Sequence, residues 1–409
     1  MTKLLTAHFH EPRLHELETY RGLGGYEGLK KALAMGREQL MEEMKKSNLR
    51  GLGGAGFPAG MKWSTVTPEA KDPGPRYVVV NCDESEPGCF KDRVLVTRAP
   101  HALIEGLLIA MHAIDAKQGF IFVRGEYQVQ YRILDKALAE ARSAGLLGER
   151  SIDLMRGAGA YISGLDTALL ETMEGKKAWP RQPPPFPTAK GLMGRPTVVN
   201  NVETLCMVPH VVLKGGDWFA ALGTPKSGGT FLFSVSGHVA KPGVYEFPMG
   251  TPLKDIIAAA GGVKGGRKLK AVIPGGVSTP VMTAEELDTP MDFEGPRAQG
   301  SFLGAGGVIV LDETADMVMV AHNIERFLAH ESCGQCTPCR QGSYWYERIL
   351  ERGLSGGGVA ADLETLQRTG EDMTGKVICA LGDTVGVVTR ALMKKFPEDF
   401  KAKFPERRG

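Results

Sequence analysis

Three closely spaced cysteines constrain most strongly what this chain can fold into. Cys333, Cys336 and Cys339 are separated by two residues each. Their thiolates can converge on one small inorganic centre, because the short backbone between them can fold around it. Gly334 would allow the tight turn, and Cys379 is the candidate for a remote fourth ligand. This set favours a cubane iron–sulfur cluster, and a structural zinc site or no metal at all are the alternatives.

The other cysteines and the histidines show no ligand spacing. Cys82, Cys89 and Cys206 are expected to be small buried or loop residues. An odd number of cysteines with one tight cluster argues against a disulfide framework and for thiolate ligands in a reducing compartment. We therefore expect a cytoplasmic protein. The nine histidines, including His330 near the cluster motif, are expected to have surface or packing roles.

The composition is typical of a soluble globular protein and excludes several classes. With 43% hydrophobic and 23% charged residues, the 409-residue chain is long enough for two or three domains. Its net charge is only +2 and it has no basic stripe, so a nucleic-acid partner is not expected. No apolar run approaches the roughly 20 residues that cross a bilayer, and the N-terminus lacks a secretory pattern. Any membrane association is therefore expected through partners.

The pattern of hydrophobic residues indicates four regions. Residues 1–47 are expected to form a helical arm, 48–227 an α/β domain, 228–314 a small α+β domain and 315–409 a helical domain. Within the second region, strand candidates at 77–80, 119–123 and 152–155 alternate with helix candidates at 101–116 and 127–144. This alternation predicts a parallel, Rossmann-like sheet. In such sheets, ligands bind in the loops beyond the carboxyl ends of the strands.

A glycine-rich stretch is the first candidate for ligand binding. It contains four glycines, Gly51, Gly53, Gly54 and Gly56. Glycine lets backbone N–H groups approach a phosphate closely. The stretch formally matches the dinucleotide fingerprint, but no strand candidate precedes it, so a flexible loop is the alternative. Phe57 and Lys62 favour binding, because an aromatic face can stack on a flat ring and a lysine can meet a phosphate or a flavin carbonyl.

Three further segments are candidates. An acidic loop follows the first strand candidate, and its Asp83, Glu84 and Glu86 could accept hydrogen bonds from ribose hydroxyls, a flavin N–H or a carboxamide; a solvated turn is the alternative. Residues 157–164 form a glycine-rich loop before a helix candidate, which is an anion site by geometry. Residues 200–204 offer side-chain amides and a hydroxyl before another helix, although a simple N-cap also explains them.

Together these motifs resemble those of the NADH-oxidising flavoprotein subunit of respiratory complex I and of related diaphorase subunits of NAD-linked hydrogenases and formate dehydrogenases. The resemblance runs from about Tyr26 to Phe404. Five motifs occur in the family's order: Gly-x-Gly-Gly-Ala-Gly-Phe-Pro, Asn-x-Asp-Glu-x-Glu-Pro-Gly, Pro-Pro-Phe-Pro, Asn-Asn-Val-Glu-Thr and Glu-Ser-Cys-Gly-x-Cys-Thr-Pro-Cys-Arg.

The resemblance implies the cofactors and the residues that hold them. It implies FMN in the α/β domain, a ubiquitin-like domain at 228–314 and a 4Fe–4S cluster on the C-terminal helices. Cofactor-binding residues carried over from the family motifs are Gly51, Gly53, Gly54, Gly56, Lys62, Asn81, Asp83, Glu84, Gly159, Tyr161, Gly164, Asp166, Asn200, Asn201 and Thr204. NADH or NADPH would stack over the flavin in a site lined by Phe57, Glu86 and Phe186. Glu86 and Lys62 are the candidates for direct roles at the reacting rings.

The implied activity is oxidation of a nicotinamide nucleotide. A flavin accepts a hydride and can release its electrons singly, which suits a one-electron cluster. The partners implied are a thioredoxin-like 2Fe–2S subunit and a larger iron–sulfur subunit of a hetero-oligomeric complex at the cytoplasmic face of the membrane. A diaphorase of a soluble hydrogenase, formate dehydrogenase or electron-bifurcating assembly is one alternative. A non-catalytic cluster scaffold is the other.

The chain departs from the family pattern at several positions. Leu52 stands where the family usually has Arg, and Pro183 where Lys is common. The segment 163–167 reads Ser-Gly-Leu-Asp-Thr instead of Cys-Gly-Glu-Glu-Thr, and the stretch before residue 157 is shortened. Leu165 and Asp166 matter most, because one carboxylate is lost and the other is shorter. Less repulsion against a 2′-phosphate leads to the hypothesis that this chain tolerates NADPH or binds NADH weakly.

Overall fold

The computed structural model describes residues 2–66 and 74–406. The chain begins with three short helices, α1 (Leu17–Gly22), α2 (Glu27–Ala34) and α3 (Arg37–Lys46). Glu105 anchors this segment, because its buried carboxylate accepts hydrogen bonds from the Tyr20 hydroxyl (2.5 Å) and from the backbone N–H groups of Tyr26 and Leu29 (2.9 Å each). The N-terminal helices therefore pack on the α/β region and are not a free extension.

The α/β region is built on a four-stranded parallel sheet. Its elements are α4 (Ala59–Ser64), β1 (Tyr77–Cys82), α5 (Lys91–Arg98), α6 (Pro100–Ala113), β2 (Gln118–Val123), α7 (Gln128–Ser143), β3 (Ser151–Arg156), α8 (Asp166–Met173), α9 (Pro187–Lys190), β4 (Thr197–Asn201), α10 (Val202–Lys214) and α11 (Gly216–Ala220). The three predicted strands and two predicted helices of this region are confirmed, with bounds that differ by a few residues.

The strand order β3-β2-β1-β4 places a reversal of strand order between β1 and β4, because β2 and β3 are added on one side of β1 and β4 on the other. The valines of β1 are fully buried, as expected for a parallel strand covered on both faces. Asn81 at the end of β1 lies beside Asn201 at the end of β4. Open parallel sheets bind ligands at the carboxyl ends of the strands where such a reversal occurs. The fold therefore directs attention to the loops after β1 and β4.

The third region is a small mixed sheet with one main helix. Its elements are β5 (Thr230–Gly237), β6 (Gly243–Pro248), α12 (Leu253–Ala259), β7 (Leu269–Ile273), β8 (Met282–Thr283), α13 (Gly295–Ala298) and β9 (Gly307–Asp312). The strand order is β6-β5-β9-β7-β8, and only the pair β5–β9 is parallel. This agrees with the expected α+β unit. Its core is continuous with that of the parallel sheet.

The C-terminal region is helical, as expected. It consists of α14 (Met317–Glu331), α15 (Thr337–Leu354), α16 (Ala360–Met373), α17 (Ala380–Lys395) and α18 (Pro397–Lys403). Their apolar faces form a second core that includes Ile162 and Ala168 of the α/β region. The cysteine-bearing helices therefore pack against the loop that precedes α8. Within the described part of the chain, no single helix has the length and hydropathy of a membrane span.

Candidate functional site

The glycine-rich loop between α3 and α4 closes on itself and contacts the start of α10. The N–H of Gly56 donates to the Gly51 carbonyl (3.2 Å), and the N–H of Leu52 donates to the Thr204 hydroxyl (2.8 Å). Gly56 has a φ of +68°, and a methyl group there would lie 2.4 Å from the Phe293 ring. Neither the backbone conformation nor the space suits a side chain, so the sequence needs glycine at this point.

Asn200 and Asn201 end β4, and protein groups hold both carboxamides. The Asn200 side-chain oxygen accepts from the Trp63 indole N–H (2.8 Å). The Asn201 side-chain oxygen accepts from the backbone N–H of Glu203 (2.9 Å) and so caps α10, as the N-cap alternative predicts. A methyl group on Gly53 would lie 3.0 Å from the Asn201 Cβ. The glycine-rich loop and the end of β4 are therefore in direct contact.

The loop after β1 meets the loop at 157–164. The Asn81 amide donates to the Gly164 carbonyl (2.7 Å), and its oxygen accepts from the N–H of Asp83 (3.1 Å). Asp83 is 9% exposed; its Oδ1 accepts from the Ser85 hydroxyl, but its Oδ2 has no hydrogen-bond partner among the described residues. Burial raises the pKa of Asp83 to about 6. A buried carboxylate oxygen without a partner is a natural acceptor for a ligand N–H.

Glu84 has a different environment from Asp83. Its buried carboxylate accepts from the backbone N–H groups of Asp92 (2.8 Å) and Arg93 (3.1 Å), at the start of α5, and from the Tyr127 hydroxyl (2.9 Å). Burial and the nearby Asp92 raise the pKa of Glu84 to about 7. Its hydrogen bonds are thus made to the start of α5 and to Tyr127, the N-cap of α7, so a direct contact of Glu84 with a cofactor stays a prediction.

Glu86 and Tyr161 lie where the three regions of the fold meet. The Tyr161 hydroxyl donates to Glu86 Oε2 (2.7 Å), and the N–H of Ser278 donates to Glu86 Oε1 (2.7 Å). The N–H of Tyr161 donates to Glu331 at the end of α14 (3.0 Å), and its ring packs edge-on against Phe327, with 5.1 Å between centroids. Burial raises the pKa of Glu86 despite these hydrogen bonds. One tyrosine thus links the acidic loop to the cysteine-bearing helices.

Lys62 on α4 reaches both β4 and the start of α8. Its ammonium donates to the Val199 carbonyl (2.8 Å) and lies 3.1 Å from a carboxylate oxygen of Asp166. Phe57 is 52% exposed and Phe186 is 62% exposed. Gly159, with a φ of +84°, lies in the loop before Tyr161. The two exposed rings are available for stacking on a planar ligand.

The four predicted ligand cysteines occupy the ends of three helices. Cys333 follows α14, Cys336 is the N-cap of α15, Cys339 lies in its first turn, and Cys379 is the N-cap of α17. Gly334 has a φ of +74°, which confirms the expected tight turn. Two helix N-termini beside the thiols favour bound negative charge.

The four thiols lie in or against the same apolar core of the C-terminal helices. Burial, together with the neighbouring Cys336, Cys379 and Cys333, raises the pKa of the Cys339 thiol to about 12, although the Ser332 hydroxyl acts to lower it. The backbone N–H groups at the start of α17 act the other way on Cys379. No group of three or more His, Cys, Asp or Glu side chains in the described ranges is arranged to hold a single metal ion. A cubane differs, because each of its thiolates binds a separate iron atom, and the four-thiol donor set fits it.

The remaining candidates have structural environments. Cys82, Cys89 and Cys206 are buried, and burial raises the pKa of each thiol, which agrees with the expected packing role. The side chain of His330 is largely exposed. Two surface pockets, of about 590 and 390 Å³, lie beside α1 and on the outer side of α14 and α15, and neither is lined by a predicted site residue.

Sequence patterns miss several residues that shape the site. Trp63 holds Asn200, Ser278 holds Glu86, and Glu331 holds the loop at Tyr161. Ser278 lies 192 positions from Glu86 in the chain, so no local pattern could connect them. β4 was also not predicted, because it has only five residues and two of them are asparagines.

Comparison with known families gives three matches along the chain. Residues 44–210 match the Nuo51 FMN-binding domain. Residues 232–310 match an SLBB domain, and residues 319–403 match the NADH-ubiquinone oxidoreductase-F iron-sulfur binding region. The last segment contains all four candidate ligand cysteines.

Individual relatives cover nearly the full length. The F 2 subunit of the NADH-quinone oxidoreductase of Rhizobium meliloti is 48% identical over 97% of this chain and 96% of that protein. The F subunit of the Streptomyces coelicolor enzyme is 46% identical over 98% of this chain and 91% of that protein. Among solved structures, a chain of an NAD+-reducing NiFe hydrogenase in its H2-reduced state is 37% identical, with a TM-score of 0.88, over 100% of this chain and 68% of that chain.

Proposed function

Because this chain belongs to the family of the NADH-quinone oxidoreductase F subunit, we propose that it oxidises NADH with FMN seated beyond the ends of β1 and β4 and passes single electrons to a 4Fe–4S cluster on the C-terminal helices. The observation that supports this most directly is the joining of the two sites. Tyr161 bonds to Glu86 in the acidic loop and to Glu331 at the end of α14. A flavin loop and the cysteine-bearing helices are therefore in contact through one residue.

The residues around the reversal between β1 and β4 fit FMN. When bound, FMN accepts a hydride and gives up its electrons one at a time. The glycine-rich loop and the Asn200–Asn201 pair offer backbone N–H groups and amides, and Asp83 offers an unpartnered buried oxygen. We assign FMN binding to Gly51, Gly53, Gly54, Gly56, Lys62, Asn81, Asp83, Glu84, Gly159, Tyr161, Gly164, Asn200, Asn201 and Thr204.

Lys62 and Glu86 have positions that suit roles beside the flavin. The ammonium of Lys62 is fixed by the Val199 carbonyl and by Asp166, which leaves a third N–H for a ligand oxygen. The two oxygens of Glu86 are fixed by Tyr161 and Ser278, so its carboxylate cannot swing freely. Orientation of the nicotinamide would then depend on a rigid carboxylate, and holding reacting groups in the right geometry can remove a large part of a reaction barrier.

The cysteines at 333, 336, 339 and 379 are proposed as the cluster ligands. Zinc at the same thiols is the competing assignment. Anaerobic purification followed by iron, sulfide and zinc analysis decides between them. The proposal predicts about four irons and four sulfides per chain and a broad visible absorption that NADH bleaches together with the flavin bands. Zinc without iron, or iron without flavin, would contradict it; the second result would support a scaffold.

Nucleotide preference follows from the segment at 165–166. Leu165 is uncharged and 36% exposed, and Asp166 is paired with Lys62 at 3.1 Å. The positions thus present one carboxylate, whose charge a lysine partly offsets. We propose weaker repulsion of a 2′-phosphate than in relatives with two glutamates, and therefore measurable NADPH oxidation.

The ratio of kcat/KM for NADH and NADPH tests this preference. Leu165→Glu is expected to shift the ratio at least about fivefold toward NADH, since one added charge close to a phosphate is worth roughly 1 kcal/mol or more. Leu213→Glu is the matched control, because Leu213 is also 36% exposed but lies at the end of α10. A wild-type ratio that already excludes NADPH, together with no change in Leu165→Glu, would reject the assignment.

The chain is one subunit of a larger assembly, as are the relatives in whose names a subunit is given. We propose a thioredoxin-like 2Fe–2S subunit and a larger iron–sulfur subunit as neighbours, at the cytoplasmic face of a membrane. Tyr344 and Trp345 on α15 are about half exposed on a cysteine-bearing helix, and exposed aromatic residues are common in interfaces.

The alternative is a diaphorase subunit, which the similarity to the hydrogenase chain favours. Identification of the proteins that co-purify with the intact chain separates the two assemblies. Subunits that carry a NiFe centre would support the diaphorase. The proposed division into residues 1–47, 48–227, 228–314 and 315–409 can be checked by limited proteolysis of the same material.

A further inference from the structure

A buried group of charges lies directly behind the proposed flavin site. The Lys91 ammonium is 2.8 Å from Asp92 Oδ1 and 2.7 Å from Glu203 Oε2. The three residues are 1%, 3% and 0% exposed, respectively. Two carboxylates therefore share one ammonium in the protein interior, where an unpaired charge is costly.

The second oxygen of Asp92 is directed at Asn201. The Asn201 amide donates to Asp92 Oδ2 (2.6 Å), while the Asn201 side-chain oxygen accepts from the N–H of Glu203 (2.9 Å). Both ends of the carboxamide are therefore fixed, and its orientation cannot invert without loss of both hydrogen bonds. One amide N–H remains for a ligand. Its direction is set by Asp92.

The charge group is itself held in place from the third region of the chain. Glu203 Oε1 accepts from the backbone N–H of Leu232 on β5 (2.7 Å). Burial acts to lower the pKa of Lys91, but Asp92 and Glu203 raise it above its usual value, so the ammonium stays charged. Asp92 is thus bound on one oxygen by a permanent positive charge and is left with the other for Asn201.

We propose that Asp92, held by Lys91, is a positioning residue that aims the remaining amide N–H of Asn201 at the flavin. The proposal rests on the proposed function, because Asn201 is taken as a flavin contact. It assigns to Asp92 an effect on cofactor affinity that acts through Asn201 and not through the general stability of the fold.

A double-mutant cycle on the full chain tests this role. The dissociation constant for FMN is measured on flavin-depleted protein by quenching of flavin fluorescence. Asp92→Ala and Asn201→Ala are each expected to raise it about 10- to 100-fold, as for loss of a charge-assisted hydrogen bond. The double variant is expected to bind FMN as well as Asn201→Ala alone, since Asp92 then has nothing left to orient. Fully multiplicative losses would overturn the positioning role.

Glu105→Gln is the matched control. Glu105 is also a buried carboxylate of this region, 1% exposed, but its hydrogen bonds go to the N-terminal helices. This variant is expected to lower the stability of the chain and to leave the FMN dissociation constant within about twofold of the wild-type value. A loss of FMN affinity as large as that of Asp92→Ala would show that the effect is not specific to Asp92. If Asp92→Ala does not fold, Asp92→Asn, which keeps the volume and one acceptor oxygen, takes its place in the cycle with the same criteria. An unchanged affinity in Asn201→Ala would instead contradict the assignment of Asn201 to the flavin site.

Discussion

Asp83 offers a test in which stability and ligand binding are expected to change in opposite directions. Its carboxylate is 9% exposed, with one oxygen bonded to Ser85 and the other without a partner among the described residues. Burial raises its pKa from 3.8 to about 6, although the Ser85 hydroxyl and Arg124 act to lower it. Asp83→Asn removes the charge with almost no change of shape. The flavin-free protein should therefore become more stable.

The size of this gain follows from the pKa shift. The Asp83 carboxyl binds its proton more tightly in the folded chain than in the unfolded chain. Its favourable contribution to the free energy of unfolding is therefore present at low pH and is lost as the pH rises through about 6. Two pKa units correspond to about 3 kcal/mol. The free energy of unfolding of the wild type should be lower than that of the asparagine variant by about 1 kcal/mol at pH 4.5 and by about 3 kcal/mol at pH 8. The expected difference between the two conditions, about 2 kcal/mol, is free of any contribution that does not depend on pH.

Denaturant unfolding of flavin-free protein at the two pH values measures this difference. Asp372→Asn serves as the control, because Asp372 is exposed on α16 and only loosely paired with Lys376 at 3.6 Å; its effect should stay within about 0.5 kcal/mol at both pH values. The same Asp83→Asn variant should bind FMN about 10- to 100-fold more weakly, because a charged acceptor is lost. A gain in stability that is equal at pH 4.5 and pH 8, or an unchanged FMN affinity, would refute the reasoning.

Three other changes test the packing, the cluster and the N-terminal contact. Gly106→Ala should lower the free energy of unfolding by about 2 kcal/mol despite a gain of about 1 kcal/mol in helix propensity, because the methyl group would lie 1.9 Å from the Leu205 carbonyl oxygen. Gly22→Ala, in α1 and with no atom within 4 Å, should leave thermal stability unchanged or raise it by up to about 1 kcal/mol. Cys379→Ser should abolish the cluster signal in electron paramagnetic resonance and retain flavin; retention of an unaltered cluster would contradict Cys379 as a ligand. Glu246→Gln should lower the free energy of unfolding by about 2–3 kcal/mol, because the buried Glu246 carboxylate accepts from three backbone N–H groups and two hydroxyls. Limited proteolysis should then cut the N-terminal segment of the variant sooner than that of the wild type. Equal cutting rates would contradict a stabilising role of this contact.

Much of the fold could be predicted from local sequence patterns, and the elements that these patterns miss are missed for physical reasons. The strands β1 and β2 were predictable because they are short apolar runs buried on both faces. α7 was predictable because its buried residues, such as Leu134 and Leu138, recur at helical spacing. β4 escaped prediction because its stability comes from pairing with β1, whereas its own sequence ends in polar residues. Yet β4 creates the reversal in strand order on which the location of the site depends.

The chemistry of the site was predictable wherever one short segment carries it. The cysteine spacing and the glycine-rich loop are local, so composition and spacing were enough to name them. What could not be predicted is which polar groups are already engaged. Glu84 and Asp83 are adjacent in the chain, but Glu84 bonds to the start of α5, whereas an oxygen of Asp83 has no partner in the described residues. A carboxylate that already accepts several hydrogen bonds within the fold has less capacity left for a ligand than one with an unpartnered oxygen, and only the three-dimensional contacts show this difference. For the same reason Asp92, which no motif singles out, becomes a candidate determinant of flavin affinity once its bond to Asn201 is seen.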